Sequence, residues 1–242
     1  MPSKITSHMS AIPDQPSVIS VLGACSMLNP LTETEMQLLG EQSFMAYAER
    51  GEMIWLAGSP SHIVAVVGSG FVKMTRSTPQ GSEVAIELLG PGQCLGLVVA
   101  IEGREYPLSA IAVTHSWYLK IPARALMEIY NSNPNLRDHI VRSLGPRLRK
   151  AHDMMARMST GKVEQRIAAV LLILADSYGE ALTDGTRIAV PLTRQDLAEM
   201  AGTTVETSIR VMSRFQKDGV VSTDKQVITI RDTAALSESL LA

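Results

Sequence analysis

Polar and apolar positions divide the chain into successive regimes. From Phe44 to Ile121, short apolar runs are punctuated by glycines at 51, 58, 68, 70, 81, 90, 92, 96 and 103. Turns spaced about 8 to 12 residues apart between such runs predict a β-roll or barrel. Ile63-Val64-Ala65-Val66-Val67 and Val84-Ala85-Ile86-Glu87-Leu88-Leu89 fit buried or half-buried strands. From Asn135 the period becomes helical. Val141, Leu144, Leu148, Ala151, Met155 and Met158 recur at alternating intervals of three and four, a coiled-coil seam flanked by Arg and Lys. Gly145-Pro146 in its middle predicts a bend, because proline removes a backbone donor. Thr160-Gly161-Lys162 reads as a hinge, and Val163 to Tyr178 as a helix with Ile167, Val170, Leu171 and Leu174 inward. Residues 1–20 are polar, carry Pro2, Pro13 and Pro16, and read as a flexible arm.

The segment Leu192 to Phe215 carries the strongest local signal. Thr193 caps a first helix, with Asp196 reaching back in a weak capping box, and Leu197, Ala198 and Ala201 share one face. Gly202 supplies the permissive backbone that ends it. Thr203 or Thr204 caps a second helix, whose apolar stripe is Val205, Ile209, Met212 and Phe215. Glu206, Ser208, Arg210 and Arg214 lie off that stripe and face outward. After Gly219, Val220 to Ile230 reads as two short strands around a polar turn, a wing beside the two helices. The pattern fits a DNA-reading winged helix-turn-helix; the plainer alternative, an amphipathic hairpin with a solvated polar face, leaves the wing unexplained.

Composition narrows the classes. A chain of 242 residues accommodates two domains, and 45% hydrophobic residues with 13 methionines describe a globular protein with adaptable packing. No stretch approaches the roughly 20 apolar residues of a membrane span, and the start lacks a signal peptide, so a cytoplasmic protein without membrane contact is expected. The net charge of -2 speaks against non-specific nucleic-acid binding. Charge is nevertheless local: Arg137, Arg142, Arg147, Arg149, Lys150 and Arg157 face only Asp138 and Asp153 in that stretch. DNA binding would therefore need a specific site. No Ser/His/Asp order, metal-spaced cluster or phosphate-binding glycine loop stands out, so no enzyme is expected.

A glycine-punctuated β-domain, a long seam helix and a C-terminal winged helix-turn-helix, in this order, resemble the CRP/FNR family of bacterial transcription regulators. The residues that carry the resemblance are Leu192-Thr193-Arg194-Gln195-Asp196-Leu197-Ala198, Val205-Glu206-Thr207 with Arg210, Arg214 to Gly219, and Pro91-Gly92-Gln93-Cys94-Leu95-Gly96. The resemblance implies an α+β fold: an arm over 1–20, a cyclic-nucleotide-binding-like β-roll sensor over 21–134, a dimerisation helix over 135–160 and a winged helix-turn-helix over 161–242. It further implies that Glu206 and Arg210 read bases, that Val205 and Ser208 adjust base preference, and that Arg194, Gln195, Thr204 and Thr207 hold phosphates. Val205 stands where the cyclic-AMP branch has arginine, and Ile209 where the FNR pattern has serine. The implied partners are a second copy of the chain, an inverted repeat of double-stranded DNA with half-sites about 34 Å apart, and, for an activator, RNA polymerase. A regulatory subunit acting through protein contacts alone is the rival reading.

The sensor side is less defined. Where cyclic-nucleotide members carry a Gly-Glu pair and an Arg-Ser pair, this chain has Gly96-Leu97 and Tyr106-Pro107. Neither Leu97 nor Tyr106 supplies charge for a phosphate, which speaks against cyclic AMP, although Arg104 lies close by. An FNR-type iron-sulfur cluster needs several closely spaced N-terminal cysteines, and only Cys25 is there; the second cysteine is Cys94. A thiol switch between Cys25 and Cys94, haem held by His62, His115, His139, His152 or a methionine, a small metabolite, and no cofactor at all stay open.

Overall fold

The computed structural model of the chain describes residues 14–79, 81, 83–160 and 162–240, without the side chains of 150 and 157–160. Most of the expected arm, Gly161 of the expected hinge and the side chain of Met158 therefore fall outside the described residues. Helix α1 (Val18–Ala24) starts inside the expected arm: Ser17 caps it by accepting the Ser20 amide, and Val21 and Leu22 dock into a core. A 3-10 turn (Ser26–Leu28) leads to α2 (Glu33–Gln42), which starts in a full capping box between Thr32 and Glu35.

The roll follows as β1 (Phe44–Ala48), β2 (Met53–Trp55), β3 (Ile63–Ser69), β4 (Val72–Ser77), β5 (Glu83–Leu89), β6 (Cys94–Leu95), a short helix α3 (Leu97–Glu102), β7 (Ser109–Ala112) and β8 (Ser116–Pro122). These strands form two antiparallel sheets, β1-β8-β3-β6 and β2-β7-β4-β5. Period-two alternation divides β3 between two cores. Ala65 and Val67 face the roll interior with Trp55, Val72, Met74, Tyr106 and Tyr118. Val64 and Val66 face a helical cap with Leu22, Leu28, Leu97, Leu126, Leu136 and Ile140.

Helix α4 (Ala123–Ser132) completes that cap, and α5 (Pro134–Thr160) leaves it as a 27-residue rod, about 40 Å long at 1.5 Å per residue. The helix runs uninterrupted through Pro146. Val141, Leu148 and Met155, seven residues apart, are 66%, 57% and 60% exposed. Ala151 is exposed too, while Leu144 is half-buried against the helical cap.

The C-terminal unit contains α6 (Val163–Tyr178), β9 (Gly179–Leu182), β10 (Gly185–Ile188), α7 (Arg194–Met200), α8 (Val205–Lys217), β11 (Val221–Asp224), β12 (Val227–Ile230) and α9 (Thr233–Glu238). Its sheet runs β11-β12-β10-β9, so the wing is widened by a hairpin that closes at Thr183-Asp184. Ile167, Val170, Leu171 and Leu174 of α6 are all buried in its core. That core does not stop at the unit's edge. It takes in Leu88, Val113 and Phe71 of the roll.

Candidate nucleic-acid interface

Helix α7 begins as its composition dictates. The Thr193 hydroxyl accepts the Asp196 amide at 3.1 Å, and the Asp196 carboxylate accepts the Thr193 amide at 2.9 Å, satisfying two otherwise orphaned donors. Leu197, Ala198 and Ala201 are buried, and Gly202 turns the chain at φ +57°. Thr204 caps α8 by accepting the Thr207 amide at 3.3 Å.

The phase of α8 differs from the expected stripe. The buried face is Ser208, Val211, Met212 and Phe215, whereas Ile209 is 48% exposed. Ser208, expected to face outward and tune base preference, is fully buried, and its hydroxyl has no hydrogen-bond partner. The outward face instead carries Glu206, Ile209, Arg210 and Ser213, all exposed, beside half-buried Val205. Spacings of one, three and four residues place these side chains on adjoining rows of one helix surface. Among the described residues, neither Glu206 nor Arg210 forms an ion pair, so both are available to a partner. Arg214 is exposed but engaged with Glu164 at 2.9 Å.

The phosphate candidates lie at the two helix starts, where free amides and the helix dipole favour anions. Thr204 and Gln195 are exposed, and Thr207 is partly so. Gln195 donates to Glu199 at 2.8 Å. Arg194 is half-buried, donates to the Thr223 hydroxyl of the wing at 3.3 Å, and has its pKa lowered by burial. The wing tip is held in strained backbone, Lys225 and Gln226 having φ of 45° and 70°.

A contact that no local pattern announces ties this unit to the roll. Lys73 of β4 reaches α7, with its ammonium 3.0 Å from Asp196 and 2.5 Å from Glu199. These side chains are only 13%, 9% and 10% exposed. Arg50 adds a longer contact to Asp196 at 3.4 Å and donates to Gln226 at the wing tip at 2.7 Å. Burial opposes charge on both Lys73 and Asp196, yet their partners prevail. Glu199 and Asp196 hold the Lys73 pKa above the ordinary lysine value, and the Thr193 cap with Lys73 holds Asp196 below the ordinary carboxylate value. Nearby, Tyr178 at the end of α6 donates to the Leu88 carbonyl at 2.8 Å and bonds Gln93 at 2.7 Å. Burial, more than the neighbouring Glu87, pushes its phenol up to about 12.

The roll interior is occupied by its own side chains. Trp55 stacks on Tyr106 with ring centres 4.3 Å apart, and the Tyr106 hydroxyl donates to the Ile63 carbonyl at 2.6 Å. Leu97 is buried in the helical cap and Arg104 is exposed. A cyclic nucleotide needs a charged donor for its phosphate, and neither Leu97 nor Tyr106 supplies one. The four histidines among the described residues lie at separate places. His115 is bonded to Tyr47 at 2.6 Å, His139 to the Ser26 carbonyl at 2.8 Å, and His62 and His152 are exposed. Among the described residues, no group of His, Cys, Asp or Glu is arranged to hold a metal ion, and no helix is long and apolar enough to cross a membrane. Cys25 and Cys94, far apart in sequence, are both free thiols buried in one cluster.

Comparison with known proteins agrees with this architecture. A cyclic nucleotide-binding domain model matches residues 45–133, and a Crp-like helix-turn-helix domain model matches residues 165–239. The anaerobic regulatory protein of Pasteurella multocida (strain Pm70) is 28% identical over 190 residues, 78% of this chain and 69% of that protein. The fumarate and nitrate reduction regulatory protein of Salmonella typhi is 29% identical over 189 residues, 78% of this chain and 75% of that protein. The structure of FixK2 from Bradyrhizobium japonicum superimposes with a TM-score of 0.72 at 21% identity, covering 81% of this chain and 96% of that one.

Proposed function

Since the chain belongs to the CRP/FNR family of transcription regulators, we propose that it is a homodimer that reads an inverted repeat of double-stranded DNA through α8, under control of a signal received by the roll. The observation that carries this reading is the outward face of α8. Glu206, Ile209 and Arg210 stand clear of a helix whose other face is pinned by Met212 and Phe215. In a major groove Arg210 is suited to the two acceptors of guanine, Glu206 to the cytosine amino group, and the Ile209 and Val205 methyls to a thymine methyl. Arg194, Gln195, Thr204 and Thr207 surround the two helix starts and would hold flanking phosphates, fixing the register without reading sequence.

Dimerisation is supported by the exposed row Val141, Leu148 and Met155 with Ala151 between them. Large apolar side chains at heptad spacing on a rod of this length need a partner helix to leave water. In this division of labour residues 21–134 receive the signal, 135–160 hold the dimer and 161–242 bind DNA. A two-fold axis along α5 would set the two recognition helices about 34 Å apart, one turn of DNA.

The test is a selection from random duplexes followed by fluorescence anisotropy on the selected site, with the protein reduced and oxidised. Recovery of an inverted repeat is the expected result. Arg210→Ala should cost roughly 1–3 kcal/mol at the selected site and relax one base position, while Arg194→Ala should weaken all sequences and flatten the salt slope by about one. Uniform loss in both variants would overturn the base-reading role, and no enriched duplex in either redox state would overturn the function.

A further inference from the structure

The two cysteines are placed as a pair although nothing in the roll's architecture requires thiols there. Cys25 closes α1 and opens the 3-10 turn; Cys94 is the first residue of β6, paired with Val66 on β3. Both are buried in the helical-cap cluster with Leu22, Leu28 and Leu97. Backbone packing brings their segments together independently of the sulfurs. Gly92, at φ +78°, lies so close to the end of α1 that a Cβ there would sit 2.6 Å from the Ala24 carbonyl oxygen.

From this juxtaposition we infer that Cys25 and Cys94 form a reversible intrachain disulfide when the protein meets a hydroperoxide. The two sulfurs are chemically unequal. The Cys94 thiol and the amides of Met27 and Leu28 hold Cys25 below the ordinary thiol range against the opposing effect of burial, whereas the bond to Cys25 and burial push Cys94 up. Cys25 sits at the end of α1, the segment that opens, whereas Cys94 is held within a sheet, so Cys25 is the attacking thiolate and Cys94 the resolving thiol. In the first step the Cys25 thiolate takes the terminal hydroxyl of the hydroperoxide and becomes a sulfenic acid, and the departing alkoxide leaves as the alcohol with a proton from water. In the second, the Cys94 sulfur displaces that hydroxyl, which departs as water with the Cys94 proton. Two thiols lose two electrons and two protons in all, and the hydroperoxide is reduced to alcohol and water. Access comes by local opening of α1, which among its seven residues buries only Val21 and Leu22.

The placement gives the bond a route to the DNA-binding unit. Gln93, next to Cys94, is hydrogen-bonded to Tyr178 of α6 at 2.7 Å. Arg147 of α5 lies within electrostatic reach of the Cys94 sulfur while paired with Glu87 of β5. The regulatory consequence rests on the proposed DNA-binding function; formation of the disulfide does not, and it is read separately.

The experiment treats the reduced full chain with hydrogen peroxide or cumene hydroperoxide, blocks remaining thiols in denaturant, and measures intact mass and linked peptides. The expected product is a monomer lacking two hydrogens, with the Cys25 and Cys94 peptides joined and restored by dithiothreitol. Cys94→Ser should instead accumulate a dimedone-trappable sulfenic acid on Cys25. Two blocked thiols after oxidant treatment, a disulfide between chains, or a dimedone adduct confined to Cys94 in Cys25→Ser would each overturn the proposal. The wild-type measurement needs no variant to fold.

Discussion

Replacing Lys73 by methionine keeps the length of the side chain and removes the charge between the roll and α7. Asp196 and Glu199 would be left about nine-tenths buried with their main counter-charge gone. Breaking a buried ion pair by deleting one partner costs about 3–5 kcal/mol, because the survivor keeps its desolvation and loses its attraction. Here the lower end applies. Asp196 retains the Thr193 cap and Arg50 at 3.4 Å, and Glu199 retains Gln195 at 2.8 Å. A loss of about 3 kcal/mol shifts the balance between docked and undocked DNA-binding units roughly 150-fold. Urea unfolding followed in parallel by far-ultraviolet circular dichroism and tryptophan fluorescence separates the two units, since both tryptophans, Trp55 and Trp117, lie in the roll. Lys73→Met should bring the circular dichroism transition of the C-terminal unit to lower urea, ahead of the fluorescence transition. Adding Glu199→Gln should return part of the loss, a coupling on the order of 1–3 kcal/mol in a double-mutant cycle. Coincident transitions with a cost within about 0.5 kcal/mol of the parent would show that the cluster does not fasten the units.

Three further outcomes follow from particular residues. Leu148→Glu places a charge in the middle of the exposed α5 row and should convert a dimer to monomers in analytical ultracentrifugation; an unchanged mass would remove α5 as the interface. Ser208→Ala deletes a buried hydroxyl without a partner and should be neutral or stabilising by up to about 1 kcal/mol with the selected operator unchanged, whereas Ile209→Ser should change base preference; an operator altered by Ser208→Ala would restore Ser208 as a reader. The pKa directions set a pH window for the roll contact. Asp196, depressed when folded, contributes stability that is complete above its unfolded pKa of about 4 and disappears as pH falls through the lower folded value. Lys73, raised when folded, contributes below its unfolded pKa of about 10.4 and loses that contribution as pH rises through the higher folded value. The stability difference between wild type and Asp196→Asn should therefore be flat near neutrality and vanish in acid; a difference that persists undiminished to pH ~2 would contradict the assignment.

Local chemistry was legible wherever neighbours in sequence decide the structure. The Thr193–Asp196 box, the inward face of α6 and the strands around Val64 and Leu88 follow from capping rules and periodicity alone. The Thr183-Asp184 turn between β9 and β10, followed by Gly185, is a hairpin signature that the sequence also offers. The same holds for the Thr32–Glu35 box that starts α2. The phase of α8 was misplaced because apolar identity at Val205 and Ile209 outvoted small Ser208. Burial is set by how the helix leaves its Thr204 cap and seats on its neighbours, and hydrophobic periodicity does not resolve a rotation of one residue. The Lys73 cluster joins residues from opposite ends of the chain. No spacing rule reaches across two folding units, and the two cysteines were only a pair of positions until β6 and α1 met.

The stacked Trp55 and Tyr106 give the roll an unusual kind of response. A pocket answers to concentration: its occupancy follows mass action, saturates and reverses on dilution. In this roll the Trp55 and Tyr106 rings stack inside the barrel, with the Tyr106 hydroxyl spent on a backbone carbonyl, so a solute entering there has to displace them. A disulfide answers differently: once formed it outlasts the oxidant and is undone only by a reductant. With the proposed Cys25–Cys94 bond, the roll would keep a record of what the molecule has met, where an open roll would report only what is present.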